Sequence, residues 1–451
     1  MLRINRISYH NFRNILDSTI YLAEKGFQTD LGGHIAGIYG INGSSKSSVG
    51  YSMALLTKLI CGISLAFFHN FDNDFGIYDD YMSLEYDFDY LFENYYNGII
   101  ISFEFRKTIV DKEEKVYMSK ETIKIKSVSG RPSIYSIPRD YNYLNCLIES
   151  DDMNRIKDLF NSSESIIYAL NSSSILNQRS FFLNLENIKN VLDNYSKTDD
   201  KLEVNPKFAY IVNFVHHYCK DTAFIMPDLY GTSITNNIFA MFSEDFSNTQ
   251  FLVKSPNGAY QCNKKTLEKI ETIIETSNKF MSKIINDFAV IVEKKEYSTN
   301  DNGETIYQIR LLSSKNNKTF LFENESEGIK RLFLISSSIA RVMNDSDCIL
   351  FVDELDEGIF EVLFGDIVEG ISNQCMGQFI FTSHNLRPLE MVDSSHFIFS
   401  TTNPRNRFVT LKGIKPKNNL RDIYIRKIMY GSEDDLAMHV DENDILEGLI
   451  S

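Results

Sequence analysis

The chain has 451 residues, of which 43% are hydrophobic and 24% are charged, values that exclude a disordered chain, a collagen-like fibre and a small disulfide-bonded scaffold. Its 46 basic and 61 acidic residues give a formal net charge of −15. This excludes a generally basic surface for nucleic acid, so contact with DNA requires a local basic patch. The cysteines form no CxxC pair, and neither a signal peptide nor a membrane-spanning apolar run is evident. We therefore expect a soluble, cytoplasmic protein with reduced thiols.

The first sixty residues predict strands followed by a helix. Apolar residues indicate strands at 2–7, 18–22 and 34–39. The third of these leads into a glycine- and serine-rich loop at 40–47, and the apolar residues of 53–60 then suit a buried helix. A strand, a glycine-containing loop and a helix in this order provide the context that a phosphate-binding loop requires.

An acidic, aromatic segment follows, in which residues 59–105 contain no lysine or arginine. Two interpretations stay open: a solvated insertion whose aromatic side chains pack inward, or a docking surface for a basic partner. Strands are predicted at 99–105 and 122–126, and residues 140–245 are polar with helical patches.

Apolar residues then recur at alternating spacings of three and four between Leu267 and Ile291, with Ser277 as the polar exception. This heptad spacing predicts one helix, either a short coiled-coil arm or a core helix. Two apolar runs at 306–311 and 319–322, joined by a polar turn, predict a hairpin.

The loop that begins at Gly40 matches the Walker A pattern G-x-x-x-x-G-K-[ST], except that Ser45 stands in place of the second glycine. In this pattern Lys46 reaches the β- and γ-phosphates and the Ser47 hydroxyl binds Mg²⁺. Ser45 is expected either to strain a glycine-like backbone or to tune affinity. The candidate nucleotide-binding residues of the loop are Asn42, Gly43, Ser44, Ser45, Lys46, Ser47 and Ser48.

A second apolar strand, 348–352, ends in Asp353 and Glu354, which is the Walker B pattern. Asp353 is the candidate Mg²⁺ ligand and Glu354 the candidate general base that polarises the attacking water. The alternative is a strand that simply runs into an acidic loop.

Two further elements flank this strand. Ser326 and Gly328 open an apolar helix, and a serine and a glycine at a helix N-terminus make a second anion site. The apolar strand 378–383 is followed by His384, which can hydrogen-bond a γ-phosphate and hold the water in line, although a lone histidine at a strand end is also common as a structural residue.

Taken in order, these four motifs resemble the ABC-type ATPase heads of the structural-maintenance-of-chromosomes (SMC) and OLD families. The segment Asn11-Phe12-Arg13 also resembles the N-terminal "NFR" of those heads. The resemblance implies an α/β fold, with a split head built on a mixed sheet with a P-loop and a helical insertion. It departs from the family at Ser45, at Phe360, where relatives often have histidine, and in the lack of an assignable Q-loop glutamine.

The resemblance also implies ATP and Mg²⁺ as cofactors and a Mg²⁺-dependent ATPase activity. In these families two heads sandwich ATP, so Ser326 and Gly328 are expected to contact the γ-phosphate held by Lys46 of a second copy. Arg13 is then a further nucleotide-binding residue. The expected assembly is a head-to-head dimer or a higher oligomer.

The expected division of the chain is 1–60 and 301–405 for the two parts of the head, 61–300 for an insertion with strands and a helical arm, and 406–451 for a charged C-terminal segment. Residues 401–427 carry eight bases and one acid, whereas 431–448 carry acids and no lysine or arginine. They predict either a charged surface hairpin with a solvated tail, or a basic segment that meets DNA or an effector.

A stand-alone head without long arms resembles the ATPase subunits of bacterial anti-phage systems of the PARIS and Septu types, whose effector is a separate protein such as a TOPRIM-type nuclease. The resemblance therefore implies a nucleotide-driven switch that holds or releases an effector. The alternatives are a DNA-repair ATPase that clamps duplex DNA and a scaffold that binds ATP with little turnover.

Overall fold

The structure is a computed structural model that describes residues 1–23, 33–62, 74–92, 95–110, 113–126, 131–139, 148–197, 204–225, 259–299, 303–316, 318–411 and 419–430. It divides into two compact units. The first unit comprises Met1–Leu31, Ala36–Cys219 and Thr382–Ser451, and the second comprises Gly32–Ile35 and Lys220–Phe381. Both contain sheets and helices, so the predicted α/β class is confirmed.

The strands, in chain order, are β1 (Leu2–Phe12), β2 (Ile15–Tyr21), β3 (His34–Gly40), β4 (Tyr81–Phe92), β5 (Tyr95–Val110), β6 (Glu113–Lys126), β7 (Ser133–Pro138), β8 (Thr222–Ile225), β9 (Tyr260–Asn263), β10 (Phe288–Thr299), β11 (Thr305–Lys315), β12 (Lys318–Leu321), β13 (Ile349–Val352), β14 (Gln378–Ser383), β15 (Phe397–Ser400) and β16 (Phe408–Val409). The α-helices are α1 (Lys46–Ile60), α2 (Ser150–Phe160), α3 (Glu164–Leu176), α4 (Leu185–Lys197), α5 (Pro206–Asp221), α6 (Lys264–Ile284), α7 (Glu327–Asn344), α8 (Glu361–Gln374), α9 (Pro388–Met391) and α10 (Leu420–Tyr430).

The first unit contains an antiparallel sheet in the order β2-β1-β4-β5-β6-β7. Strands from the segment expected as an insertion therefore extend the same sheet as the N-terminal hairpin. On β4, Tyr86 and Phe88 are fully buried, while Glu85 and Asp87 form ion pairs with basic residues of β1 and β6. Tyr86, Phe88 and Tyr90 thus pack inward, as the first of the two interpretations predicts, whereas Tyr81 is only partly buried.

The same unit carries the strand that precedes the phosphate loop. β3 pairs in parallel with β15, in the register Gly37 to Phe397 and Gly40 to Ser400, and β15 pairs antiparallel with β16. Residues Ile35 to Gly40 of β3 are buried. The phosphate loop therefore starts from a strand that packing holds in place. Helix α1 begins at Lys46 and buries most of its length, which matches the predicted strand, loop and helix.

In the second unit, β13 pairs in parallel with β14 on one side and with β8 on the other. A separate antiparallel sheet has the order β10-β11-β12, with β9 also paired to β11. The predicted hairpin is confirmed as β11 and β12. In the described part of the chain, no helix is long and apolar enough to cross a membrane.

The heptad segment forms a shorter helix than its spacing predicts. Helix α6 ends at Ile284, and Asp287 turns the chain with a φ of 57°. Phe288 and Ile291, predicted as helical positions, lie on strand β10, because the buried pair Phe288 and Val290 follows a period of two rather than 3.6. Helix α6 buries its apolar stripe and packs against α7, so it is a core helix and not an arm.

Some predicted features lie outside the described residues. They are the acidic tail at 431–448, the lysines within 412–418 of the basic segment, and the part of the acidic, aromatic segment at 63–73.

Candidate functional site

The backbone of the phosphate loop is left-handed at two positions, one of them a glycine that adopts this conformation freely. Gly43 has a φ of 76°, and Ser45 has a φ of 74° and a ψ of 18°, in the left-handed region. Ser45 is the N-cap residue of α1, but its side chain makes no capping hydrogen bond. The first turn of α1 contains no acidic residue. The positive end of the helix dipole and the amides of the loop therefore offer a favourable environment for an anion.

Lys46 lies folded against its own loop and is 7% exposed. Its Nζ donates hydrogen bonds to the carbonyl oxygens of Gly40 at 2.9 Å and Ile41 at 3.1 Å. Ser44 also binds Ile41, because its hydroxyl donates to that carbonyl oxygen at 2.6 Å, and its Oγ lies 2.5 Å from Ser400 Oγ. These contacts hold the loop in a closed, hydrogen-bonded form.

Ser45 strains a glycine-like backbone, as the first of the two expectations states. Its hydroxyl donates to Asn14 Oδ1 at 2.5 Å, and Asn14 Nδ2 donates to the carbonyl oxygen of Gly43 at 2.8 Å. Of the remaining candidate residues in the loop, Asn42 and Gly43 are exposed, Ser47 is half-buried and Ser48 is buried. Asn14 was not among the predicted site residues, although it directly follows the "NFR" segment.

Arg13 contacts Tyr51 of α1 and the acidic side chain of Asp74. Its guanidinium carbon lies 3.9 Å from the centre of the Tyr51 ring, and its Nε lies 3.6 Å from Asp74 Oδ1. Its Nη1 is buried with no hydrogen-bond partner among the described residues. A buried donor without an acceptor fits an anionic ligand such as a phosphate.

Asp74 is the acidic partner of this arginine. Burial raises the pKa of Asp74 to about 6, while the charges of Arg13 and Lys58 oppose that rise. The remaining two residues of the "NFR" segment, Asn11 and Phe12, are both buried. Asn11 is fully buried and donates from Nδ2 to the carbonyl oxygens of Asp79 and Tyr81.

The acidic residues of the second unit follow the buried strand β13. Asp353 is 6% exposed, and Glu354 is exposed with a φ of 50° in the left-handed region. Partial desolvation raises the pKa of Glu354, and the charges of nearby acids raise it further. A raised pKa brings a carboxylate closer to the range that suits a general base. The contributing acids are Asp353, Glu357 and Asp356.

Arg331 of helix α7 reaches this acidic turn. Its Nη2 donates to the carbonyl oxygen of Asp353 at 2.5 Å and to that of Glu354 at 3.2 Å. Burial lowers the pKa of Arg331, and the surrounding carboxylates counteract that change. No motif in the sequence marks this residue, because its role depends on the turn of α7 that faces β13.

The predicted anion site at the start of α7 has the expected local form. Ser326 is the N-cap, and its Oγ accepts a hydrogen bond from the backbone N–H of Ile329 at 3.4 Å. At Gly328, a Cβ atom would lie 2.1 Å from the carbonyl oxygen of Gly358. Glycine is therefore required here by the close approach of the two backbones, apart from any contact with phosphate.

His384 directly follows strand β14 and is exposed. The turn around it is ordered by Ser383, whose Oγ accepts a hydrogen bond from the Asn385 N–H at 2.9 Å. The first unit thus contains Arg13, the phosphate loop and His384. The second unit brings together Asp353, Glu354, Ser326 and Gly328.

No protein-family model and no curated protein sequence matches this chain. Among solved structures, the Smc head domain of Pyrococcus furiosus bound to the C-terminal domain of ScpA is 14% identical, with a TM-score of 0.42 over 91% of this chain and 96% of the other. The recombination mediator protein RecF with ATP, of the RecFOR pathway, is 11% identical, with a TM-score of 0.37 over 91% and 99%. The SMC head domain of Thermotoga maritima is 12% identical, with a TM-score of 0.33 over 91% and 100%. Similarity at this level carries no argument about activity.

Proposed function

We propose that this chain is an ABC-type ATPase head that binds and hydrolyses ATP with Mg²⁺. The observation that carries the proposal is the phosphate loop. It combines two left-handed residues, the Lys46 side chain and a helix N-terminus without acidic residues, which together suit a triphosphate. The buried Nη1 of Arg13 supplies a further donor without a partner among the described residues.

Each candidate site residue has a separate role in the proposed ATP hydrolysis. Lys46 moves from the carbonyl oxygens of its own loop to the phosphates, and the amides of residues 42–48 surround them. The Ser47 hydroxyl and the Asp353 carboxylate are hard oxygen ligands of the kind that Mg²⁺ prefers, and bound Mg²⁺ offsets phosphate charge. Glu354 accepts a proton from the attacking water, and His384 orients it.

A second copy of the chain completes the proposed assembly. Ser326 caps a helix that starts with exposed residues, so its N-terminal turn is accessible to the nucleotide of another head. Phe360, which follows the acidic turn, is 73% exposed. Its ring is accessible to a second copy of the chain. ATP binding is then expected to drive head-to-head association.

The biological role that we propose is a sensor in anti-phage defence that holds or releases a separate effector, such as a nuclease. Helix α6 supports a stand-alone head because it packs in the core instead of forming an arm. The competing roles, an ATPase that clamps DNA and a scaffold with little turnover, are outcomes of the test below.

The test is steady-state ATP hydrolysis by the wild type and by Glu354→Gln, with and without duplex DNA. We expect the variant to lose about 10²–10⁴-fold in turnover, the usual contribution of a general base. Asp366→Asn, an exposed acid on helix α8 that is not among the acids acting on Glu354, is the control and should retain turnover. Equal, near-zero rates in wild type and Glu354→Gln would leave only the scaffold, and strong stimulation by DNA would favour the clamp. Co-purification of a nuclease with the wild type would support the sensor.

A further inference from the structure

We infer that Asn14 is a positioning residue that allows the phosphate loop to function with serine in place of glycine. The inference rests on the proposed nucleotide binding and concerns how this chain supports it. Ser45 is the position at which the loop departs from the Walker A pattern, and its φ is 74°.

A left-handed backbone is costly for a residue with a Cβ atom, and glycine is the usual solution. Ser45 can hold this conformation if its side chain is bonded to a rigid group. Its hydroxyl donates to Asn14 Oδ1 at 2.5 Å, so the hydroxyl is engaged outside the loop.

Asn14 contacts the loop at a second point. Its Nδ2 donates to the carbonyl oxygen of Gly43 at 2.8 Å, and Gly43 is the other left-handed residue of the loop. One side-chain amide therefore bonds to both left-handed positions, with its oxygen on Ser45 and its nitrogen on Gly43. This arrangement fixes the peptide groups between them, which are the groups expected to face the phosphates.

Asn14 is itself firmly anchored. It lies in the short turn between β1 and β2, whose last pair joins Phe12 and Ile15. Its carbonyl oxygen accepts hydrogen bonds from Arg407 Nε at 3.1 Å and Nη2 at 2.6 Å. Arg407 is 5% exposed, and its Nη1 donates to the carbonyl oxygen of Thr401 at 2.9 Å. The backbone of Asn14 is thus held both by the turn between β1 and β2 and by Arg407.

The test is a set of variants at the two positions, with the affinity for Mg²⁺ and the non-hydrolysable analogue AMP-PNP as the measured quantity. Ser45→Ala is expected to weaken binding about fivefold, which corresponds to one net hydrogen bond, and Asn14→Ala, which loses two, about 25-fold. The double variant Asn14→Ala/Ser45→Ala should be no weaker than Asn14→Ala alone. Independent losses that multiply to about 125-fold in the double variant would overturn the inference.

The decisive variant is Ser45→Gly in the Asn14→Ala background. Glycine removes the strain that Asn14 offsets, so this second change should restore most of the lost affinity. A purely structural role of Asn14 predicts no such rescue, and absence of rescue would overturn the inference. Asn177→Ala, which removes an amide at the end of α3 that bonds Ser173, is the matched control.

A thermal-unfolding arm separates this inference from the proposed function. If the wild type binds no nucleotide, the proposed function fails. The melting temperatures of the same variants still measure the energetic coupling between Asn14 and Ser45. Ser45→Gly should then raise the melting temperature of Asn14→Ala and should raise that of the wild type less. Equal shifts in the two backgrounds would contradict the inference whether or not ATP binds.

Discussion

The two groups of candidate site residues differ in how their polar atoms are satisfied. In the phosphate-binding half, residues 40–48 with Asn14, described side chains bond to backbone carbonyl oxygens or to one another. In the acidic half, residues 353–357 with Arg331, several carboxylates surround one guanidinium, which donates to backbone carbonyl oxygens.

The difference indicates what each half still needs. In the candidate phosphate-binding half, polar side chains are already paired within the loop, so a bound anion has to replace existing hydrogen bonds, such as those of Lys46. The acidic half carries an excess of negative charge, which adds to the effect of burial in raising the pKa of Glu354. A divalent cation offsets such an excess, and we therefore expect Mg²⁺ to affect the second half more than the first.

The largest effect is expected at Asp353. Asp353→Asn should lower ATP turnover about 100-fold or more and raise the Mg²⁺ concentration needed for half-maximal rate, because a catalytic metal contributes several kcal/mol. The measurement is the hydrolysis rate as a function of Mg²⁺ concentration. Asp366→Asn, at an exposed position of α8, is the control. An unchanged Mg²⁺ dependence in Asp353→Asn would show that Asp353 does not bind the metal.

The next effect is the pH dependence of the unfolding free energy that the buried carboxyl of Asp74 produces. The pKa of Asp74 rises from 3.8 to about 6 through burial, so the folded state favours the protonated carboxyl. The resulting stabilisation is fully present below the unfolded pKa and is lost as pH rises through about 6. Asp74→Asn should therefore match the wild type near pH 4. By pH 8 it should gain about 3 kcal/mol in unfolding free energy relative to the wild type, since each pKa unit corresponds to about 1.4 kcal/mol.

Denaturant titrations of both proteins across this pH range measure the difference, and Asp158→Asn, exposed on α2, reports the background. A constant difference between Asp74→Asn and the wild type would show that Asp74 does not carry the expected burial penalty.

A smaller effect is expected at Arg331. Arg331→Ala removes two charge-assisted hydrogen bonds to carbonyl oxygens and leaves the acidic turn without its guanidinium, so we expect a loss of about 2 kcal/mol in unfolding free energy. Chemical denaturation measures it, with the exposed Arg155→Ala as the control. A loss below about 0.5 kcal/mol, the range of ordinary surface substitutions, would mean that Arg331 does not stabilise the acidic half.

The local parts of this account could be predicted from the sequence, because they depend on neighbouring residues. The strand, loop and helix around Gly43, the N-cap Ser326 and the hairpin at 305–321 follow from spacing alone. The heptad spacing predicted a helix that continues past the observed end of α6. The few apolar residues beyond that end fit a helix and a strand equally well, so spacing alone could not separate the two.

The supporting residues could not be predicted in the same way. Arg407 bonds to Asn14 across 393 positions of the chain, and no local pattern connects two such residues. Gly358 lies against Gly328 because two backbones approach closely, which is a property of packing. Arg331 depends on which face of α7 meets the acidic turn. Such contacts appear only once the strands and helices are assembled.

The measurement that tests the central claim most directly is calorimetric titration of the wild type and Lys46→Ala with ATP and Mg²⁺. We predict saturable binding to the wild type and a loss of about 100-fold or more in Lys46→Ala, because the lysine provides the charge that meets the β- and γ-phosphates. Thr57→Ala, on the same helix with a hydroxyl that bonds Met53, is the control and should bind normally. No binding to the wild type, or equal binding to wild type and Lys46→Ala, would contradict the account.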